Sequence, residues 1–307
     1  MKVQSRLSTL FVTALSQSLS VDLMQRAARS VIPDYDVYQR SGFPESIPIP
    51  RADAARHILK DFLSEGYFLK LIEALIEMTS QGNMGREVRI PLLPRIIAEV
   101  EEQGYSYSLE KGMFVESAQR ARTMGWGTLR EGRTYEFALL RVDIVGNTEL
   151  LRKFPRERVG AAYVAVRDMV KRLVEKRDGR IWAWEGDGGL AAFYFLDKTI
   201  QASLCGMEIV HELFLYNLLT PPLPQPIMMR MAVHAGPCRF LHSAREASGD
   251  TMRRIELLES QFTIPGSLTV SPGVYTDLGS KLAPLFSAVS GPDNSSVFRY
   301  ALDWDRR

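Results

Sequence analysis

The sequence predicts an α+β protein, with a helical N-terminal domain over residues 1–130 followed by a β-α-β-β-α-β domain over residues 135–303. Three observations predict it. Up to about residue 130, apolar residues recur mainly at helical spacing. From Tyr135 the pattern changes to short apolar runs alternating with helical stripes. Within that second half, two Asp residues each end an apolar run against a Gly-containing turn: Arg141-Val-Asp143-Ile-Val-Gly146-Asn147-Thr148 and, 44 residues after Asp143, Glu185-Gly186-Asp187-Gly188-Gly189.

Composition narrows the function classes. At 307 residues, with 46% hydrophobic and 24% charged residues, the chain has room for two modest domains. A net charge of +2, spread without a basic run, argues against a nucleic-acid binder. Two distant cysteines, Cys205 and Cys238, form neither a CxxC site nor a disulfide framework; they read as reduced, buried thiols of a cytoplasmic protein. No run approaches the ~20 apolar residues of a membrane span. The start of the chain, with Lys2 and Arg6 before an apolar stretch, faintly resembles a signal peptide. However, Ser8, Thr9 and Thr13 interrupt the stretch, and Val3, Leu7, Leu10, Phe11 and Ala14 share one helical face, so an amphipathic first helix is expected.

The elements follow in order. Leu23, Met24, Ala27, Ala28 and Val31 mark a second helix after Ser20. Ile47-Pro48-Ile49-Pro50 is extended, because each Pro drives its predecessor out of the helical region. Ile58, Leu59, Phe62 and Leu63, then Phe68, Leu71, Ile72 and Leu75, form a long helical pattern that Gly66 can split. Ile96, Ile97 and Val100 mark a short helix, and residues 103–133 read as a connector containing a hairpin.

In the second half, Phe137 to Ile144 is a buried strand and Val159 to Val174 a helix closed by Asp178-Gly179. Arg180 to Glu185 and Leu190 to Phe195 are hairpin strands around Gly186-Asp187-Gly188. A helix at 199–217, a stiff Pro-rich linker, a strand from Ile227 to His234, a helix at 249–262 and short strands at 268–270 and 297–302 complete the order. This is a ferredoxin-like split βαβ core, with helices on one sheet face and the other face free to bind.

That topology brings Asp143 and Asp187 to one sheet edge. Two carboxylates and a backbone carbonyl can hold Mg²⁺ or Mn²⁺ with positions open to phosphates. The alternative is a pair of turn-forming Asps, since Asp-Gly is common hairpin chemistry. Arg230, inside an apolar strand, needs a partner: a triphosphate or a buried carboxylate. His234 has no His or Cys at ligand spacing and reads as a packed, hydrogen-bonded residue.

Residues 135–303 resemble the catalytic domain of the class III adenylate/guanylate cyclases. The resemblance rests on Asp143-Ile-Val-Gly-x-Thr, Gly186-Asp187-Gly, Arg230-Met-Ala-Val-His-Ala-Gly236 and Ser248-Gly249-Asp-Thr, in the family's order. Diguanylate cyclases share the core topology, but their hairpin signature is absent. The resemblance implies a metal-dependent nucleotidyl cyclase that forms a 3′,5′-cyclic nucleotide and pyrophosphate. It implies a homodimer, with sites in the interface between two catalytic domains. It implies two divalent cations, Mg²⁺ or Mn²⁺, on Asp143, Asp187 and the Ile144 carbonyl, one of them activating the ribose 3′-hydroxyl. The triphosphate would lie on Gly146, Asn147, Thr148 and Arg230, with Asn147 where the family usually has an aromatic residue.

The other half of the family pattern is rewritten. Ala183 and Glu246 stand at the base-reading positions, Arg253 at the transition-state Asn, Leu257 at the transition-state Arg and Ser290 at a C-terminal Lys. Neither purine code is present, so the base is left open. Arg253 and Arg254 are candidate catalytic cations that can replace the missing charge, or helix-surface charges paired with Glu256 or Glu259. The alternative function is a degenerate pseudo-cyclase that binds nucleotide or pairs with another cyclase; a third is a structural adaptor that binds none. The helical domain reads as a regulatory or partner-binding module.

Overall fold

The computed structural model describes residues 5–44, 47–81, 88–110, 112–116, 123–221, 223–241, 249–292 and 296–302. The chain forms two compact units, Met1–Arg130 and Glu131–Arg307.

In the first unit, helices α1 (Ser5–Ser18), α2 (Val21–Arg29), α3 (Val37–Ser41), α4 (Arg51–Glu65), α5 (Phe68–Gln81) and α6 (Leu93–Glu101) precede a hairpin of β1 (Tyr105–Ser108) and β2 (Met113–Glu116). Helices α2 and α3 start where a side chain satisfies free amides of the first turn. Ser20 accepts from the Leu23 N–H at 3.3 Å, and Asp36 accepts from Tyr38 at 2.9 Å and Gln39 at 3.2 Å. Helix α4 ends at Gly66, and the Arg130 guanidinium donates to the exposed carbonyls of Leu63 (2.9 Å) and Ser64 (2.6 Å). The apolar face of α1 packs as expected, with Leu7, Phe11 and Ala14 fully buried. Burying such side chains contributes about 1.5–3 kcal/mol each for the larger ones. The segment read as a connector contributes Tyr105 and Phe114 to this core, and Trp126 is buried as well. Among the described residues, no single helix is long and apolar enough to cross a membrane.

The second unit is built on one sheet. Its described strands are β3 (Thr134–Ile144), β4 (Arg180–Glu185), β5 (Gly188–Phe193), β6 (Met229–Arg239), β7 (Ser267–Val270), β8 (Ser287–Ser290) and β9 (Ser296–Ala301), in the order β4-β5-β3-β6-β7-β9-β8. The helices are α7 (Asn147–Lys153), α8 (Arg156–Lys176), α9 (Lys198–Leu219), α10 (Asp250–Phe262), α11 (Pro272–Asp277) and α12 (Gly279–Leu282). Strands β3 to β6 pair antiparallel as a split βαβ unit, and β7 adds parallel to β6 after α10. Alternation sets two faces. Ala138, Leu140, Val142 and Ile144 of β3 enter the core shared with Val166, Val170 and Leu173 of α8 and Cys205 and Ile209 of α9. Phe137, Leu139, Arg141 and Asp143 point the other way.

That second face is not left free, as the sequence suggested. Helix α10 lies against it, burying Ile255 and Leu258 and pairing Glu259 with Arg141 and Arg230. The Pro-rich linker also has a clamp the sequence did not reveal: Asn217 on α9 both accepts from Ile227 N–H (2.9 Å) and donates to its carbonyl (2.8 Å). Cys205 and Cys238 are both buried, and burial pushes the Cys205 thiol up to about 12.

Candidate functional site

Asp143 stands in the last turn-ward stretch of β3, directly opposite Gly188 of β5 and Arg230 of β6. The tight turn between β4 and β5 uses Gly186 at φ 55° and brings Asp187 alongside: the Ile144 N–H donates to the Asp187 carbonyl at 3.0 Å. The two carboxylates therefore sit on adjacent chain segments. In an extended strand a residue's N–H and C=O share one edge, so the Ile144 carbonyl lies on the hairpin side as well.

The local glycines leave space for this arrangement. A Cβ on Gly188 would lie 3.1 Å from Asp143 Oδ1 and 3.0 Å from the Val142 carbonyl, and one on Gly189 would strike the Trp184 ring at 2.4 Å. Glycine at 188 thus keeps the flank of Asp143 Oδ1 open.

The other oxygen of Asp143 is taken. Arg230 Nη2 donates to Asp143 Oδ2 at 2.8 Å. Arg230 Nε also lies 2.9 Å from Glu259 Oε1, off the N–H direction, so this contact is an ion pair without a hydrogen bond. Glu259, with its side chain 4% exposed, receives Arg141 Nε at 3.3 Å on its other oxygen, and Arg141 reaches Glu256 at 3.6 Å. The result is a chain of alternating charge, Glu256–Arg141–Glu259–Arg230–Asp143, running from α10 to the metal candidate. Burial raises the Glu259 carboxyl above its ordinary range, and Arg230 pulls it back. Of the two partners the sequence offered Arg230, the structure shows carboxylates.

Gly146 (φ 74°) precedes α7, whose first helical bond runs from Leu150 N–H to the Gly146 carbonyl. The amides of Asn147, Thr148 and Glu149 thus precede the helical ladder. The Asn147 side chain accepts a hydrogen bond from the Tyr163 hydroxyl of α8 at 2.8 Å. Tyr163 is pushed up to about 12 by burial, then by Asp187 and Asp143, so its hydroxyl stands within the field of both carboxylates.

Asp143 and Asp187 open into a cleft of about 720 Å³, whose walls include Arg141, Ala183, Gly249, Met252 and Arg253. A bulge in β4 shapes one wall: Ile181 pairs with Ala191 and Ala183 with Leu190, leaving Trp182 without a β5 partner. Ile181 and Trp184 pack on the helical core, whereas Trp182 meets Phe137 (ring centroids 4.7 Å apart) and Ala183 faces the cleft. The extra residue therefore turns two consecutive side chains to one face.

Arg253 and Arg254 do not pair with Glu256 or Glu259. Both reach Asp250, Arg253 at 3.5 Å and Arg254 at 2.7 Å. Arg253 borders the cleft with the Asp pair, and Arg254 does not. Arg254 and Leu257 border a second cavity of about 1170 Å³, which Arg253 also touches. There His234 Nδ1 lies 2.9 Å from Ser271 Oγ, and burial, then Arg254, lowers its pKa. His234 is thus the packed, hydrogen-bonded residue expected. Glu246 lies outside the described residues, as does Ser248 of the motif.

Among the described residues, no group of three or more His, Cys, Asp or Glu gathers to hold a metal ion. A cation here would need the two Asp carboxylates together with the Ile144 carbonyl. That all-oxygen donor set, with the gap kept by Gly188, fits a hard divalent cation. Sequence reasoning missed Tyr163 and Glu259 as neighbours of the pair. Tyr163 counted only as a core position of its helix, and the Glu256, Glu259 spacing on one helical face was the available signal for the second.

No family model and no curated protein matches the chain. Solved structures do. An adenylate/guanylate cyclase/hydrolase from Silicibacter pomeroyi is 21% identical, with 56% of this chain and 99% of that one covered at a TM-score of 0.47. The guanylyl cyclase Cya2 is 18% identical, covering 58% and 98% at 0.46. The adenylyl cyclase CyaB from P. aeruginosa is 17% identical, covering 57% and 97% at 0.46. Over rather more than half its length, the chain is similar to adenylate and guanylate cyclase catalytic domains.

Proposed function

We propose that residues 135–303 are a class III-type, metal-dependent nucleotidyl cyclase domain that converts a nucleoside triphosphate to its 3′,5′-cyclic nucleotide and pyrophosphate. The observation that carries this reading is the adjacency of Asp143 and Asp187 across the Ile144–Asp187 hydrogen bond, with Gly188 keeping one flank open. Asp143, Asp187 and the Ile144 carbonyl would hold two Mg²⁺ or Mn²⁺ ions. When bound, such ions supply Lewis-acid polarisation of phosphate and acidify the ribose 3′-hydroxyl.

The remaining work falls to the chain. Arg230 holds Asp143 in place through one oxygen and leaves the other for a ligand. Gly146, Asn147 and Thr148 supply donors for the triphosphate beside the carboxylates. Ala183 leaves room in the cleft wall for a base, with Glu246 as its other reader. The 3′-hydroxyl gives up its proton to solvent water, and its oxygen forms a bond to the α-phosphorus as the bond to the leaving pyrophosphate breaks. Arg253 supplies positive charge there in place of the donor lost at Leu257, a loss that otherwise costs about 2.7–4 kcal/mol. The domain acts as a homodimer in the cytoplasm, and residues 1–130 form its regulatory or partner-binding domain.

A second reading is a pseudo-cyclase that binds nucleotide without turnover. It is favoured by one observation: both Arg253 and Arg254 are turned to Asp250. Incubating the full chain with ATP, GTP, CTP or UTP and Mg²⁺ or Mn²⁺ separates the two. Cyclic product from at least one nucleotide, lost in Asp143→Asn, supports the cyclase. Binding without product in every combination rejects it in favour of the pseudo-cyclase.

A further inference from the structure

We propose that Tyr163 is a positioning residue of this site, acting through Asn147 to present a hydrogen-bond donor to the polyphosphate chain. The inference rests on the nucleotide-site reading above and deepens it. Its basis is one side-chain pair: the Tyr163 hydroxyl on α8 donates to Asn147 Oδ1 at 2.8 Å, across the groove between α8 and the start of α7.

An amide side chain is two-sided. One end accepts and the other donates twice, and nothing in its shape distinguishes them. Which end faces a ligand depends on the neighbour that claims the other. Here the Tyr163 hydroxyl holds the oxygen end. Its single proton goes to the Asn147 oxygen, and among the described residues no acceptor claims Asn147 Nδ2. The amide therefore turns its two N–H groups away from Tyr163. An Asn147 released from Tyr163 can turn its oxygen outward instead, and an oxygen repels phosphate.

The pair also stands near the carboxylates: Asn147 opens α7 just after the end of β3, where Ile144 follows Asp143 and donates its N–H to the Asp187 carbonyl. A nucleoside triphosphate bound there extends its anionic oxygens over those cations. A neutral amide donor at this flank binds an oxygen without adding a charge that competes with the metal.

The test uses the full chain, Mn²⁺ and inorganic tripolyphosphate, followed by calorimetric titration. Tyr163→Phe keeps the ring and removes the hydroxyl; it should weaken tripolyphosphate binding roughly threefold to tenfold, the effect of one hydrogen bond. Asn147→Ala should lose a similar factor, and the double variant should be no weaker than the weaker single one, because both remove the same contact. Asn147→Asp, nearly isosteric, keeps the acceptor for Tyr163 but places a carboxylate toward the phosphate, and should lose more than Asn147→Ala. Mn²⁺ affinity without tripolyphosphate should be unchanged by Tyr163→Phe. Wild-type binding with Tyr163→Phe unaffected, or losses that multiply in the double variant, overturns the pair alone. A wild-type chain that does not bind tripolyphosphate overturns the nucleotide-site reading, and this inference with it.

Discussion

Arg230 Nη2 lies 2.8 Å from Asp143 Oδ2, so the guanidinium that the sequence assigns to a triphosphate or a carboxylate holds a candidate metal ligand. Behind it, Glu259 is almost wholly withdrawn from water, with its side chain 4% exposed, and is neutralised by Arg230 and Arg141. Removing one partner of such a chain leaves a buried charge under-compensated, which costs more than the pair contributes.

Arg230→Met should therefore destabilise the chain by about 2–3 kcal/mol, less than a fully buried pair because the guanidinium is partly exposed. Replacing Glu259 as well, in Arg230→Met/Glu259→Leu, should recover part of that loss. Urea unfolding of the three proteins checks both statements. A single variant within about 0.5 kcal/mol of wild type would contradict the buried-charge account.

Gly188→Ala should weaken Mn²⁺ binding roughly 10- to 100-fold, in the range of a displaced ligand support. The added Cβ meets the Val142 carbonyl, part of the β3 backbone, and Asp143 Oδ1, which has to turn aside to admit it. Isothermal titration with Mn²⁺ reads the effect, and an unchanged affinity would place the cation away from Oδ1.

The adjacent arginines of α10 should behave differently. Arg253 borders the cleft and Arg254 does not. Arg253→Ala should lower kcat by about 10²–10³, the usual cost of a lost transition-state donor. Arg254→Ala loses an exposed pair with Asp250, with little expected effect on stability or turnover. Equal kinetic losses in the two variants would remove Arg253 as the special one.

Glu73 gives the first unit a pH dependence. Burial pushes its carboxyl from 4.5 up to about 7, against the opposing pull of the Phe114 N–H and Lys70. The folded state therefore binds a proton more tightly than the unfolded one. The resulting stability is fully present below about 4.5, and is lost as pH rises through about 7. Melting temperatures from pH 4.5 to 8 should fall more for wild type than for Glu73→Gln. Parallel curves would show that Glu73 does not titrate in this window.

Much of the architecture was legible because it is local. Apolar spacing marked α8 and α9, and Gly186-Asp187-Gly188 marked the turn between β4 and β5. The Asp pair followed from topology, since a split βαβ unit has few ways to arrange its first strand and hairpin. What stayed hidden was long-range pairing between charged groups. Arg230 and Glu259 lie on different elements, and no local pattern links a strand arginine to one glutamate among several on a helix. The same blindness left the second sheet face looking open: Glu259 reads as solvent-facing until Arg141 and Arg230 are seen beneath it. Tyr163 likewise reads as packing, and only its hydroxyl's approach to Asn147 separates it from a phenylalanine.

The unpaired Trp182 in β4 has a consequence for how this site can vary. Downstream of it, Ala183, Trp184 and Glu185 keep step with Leu190, Gly189 and Gly188, so the cleft wall is indexed from the hairpin tip. Upstream, the strand is offset by one residue. The bulge acts as an expansion joint: a residue gained or lost between α8 and Ile181 can be absorbed there without rotating position 183 out of the cleft. The part of the sheet that faces a ligand is thereby insulated from length changes in the scaffold that carries it, and the two can drift at different rates.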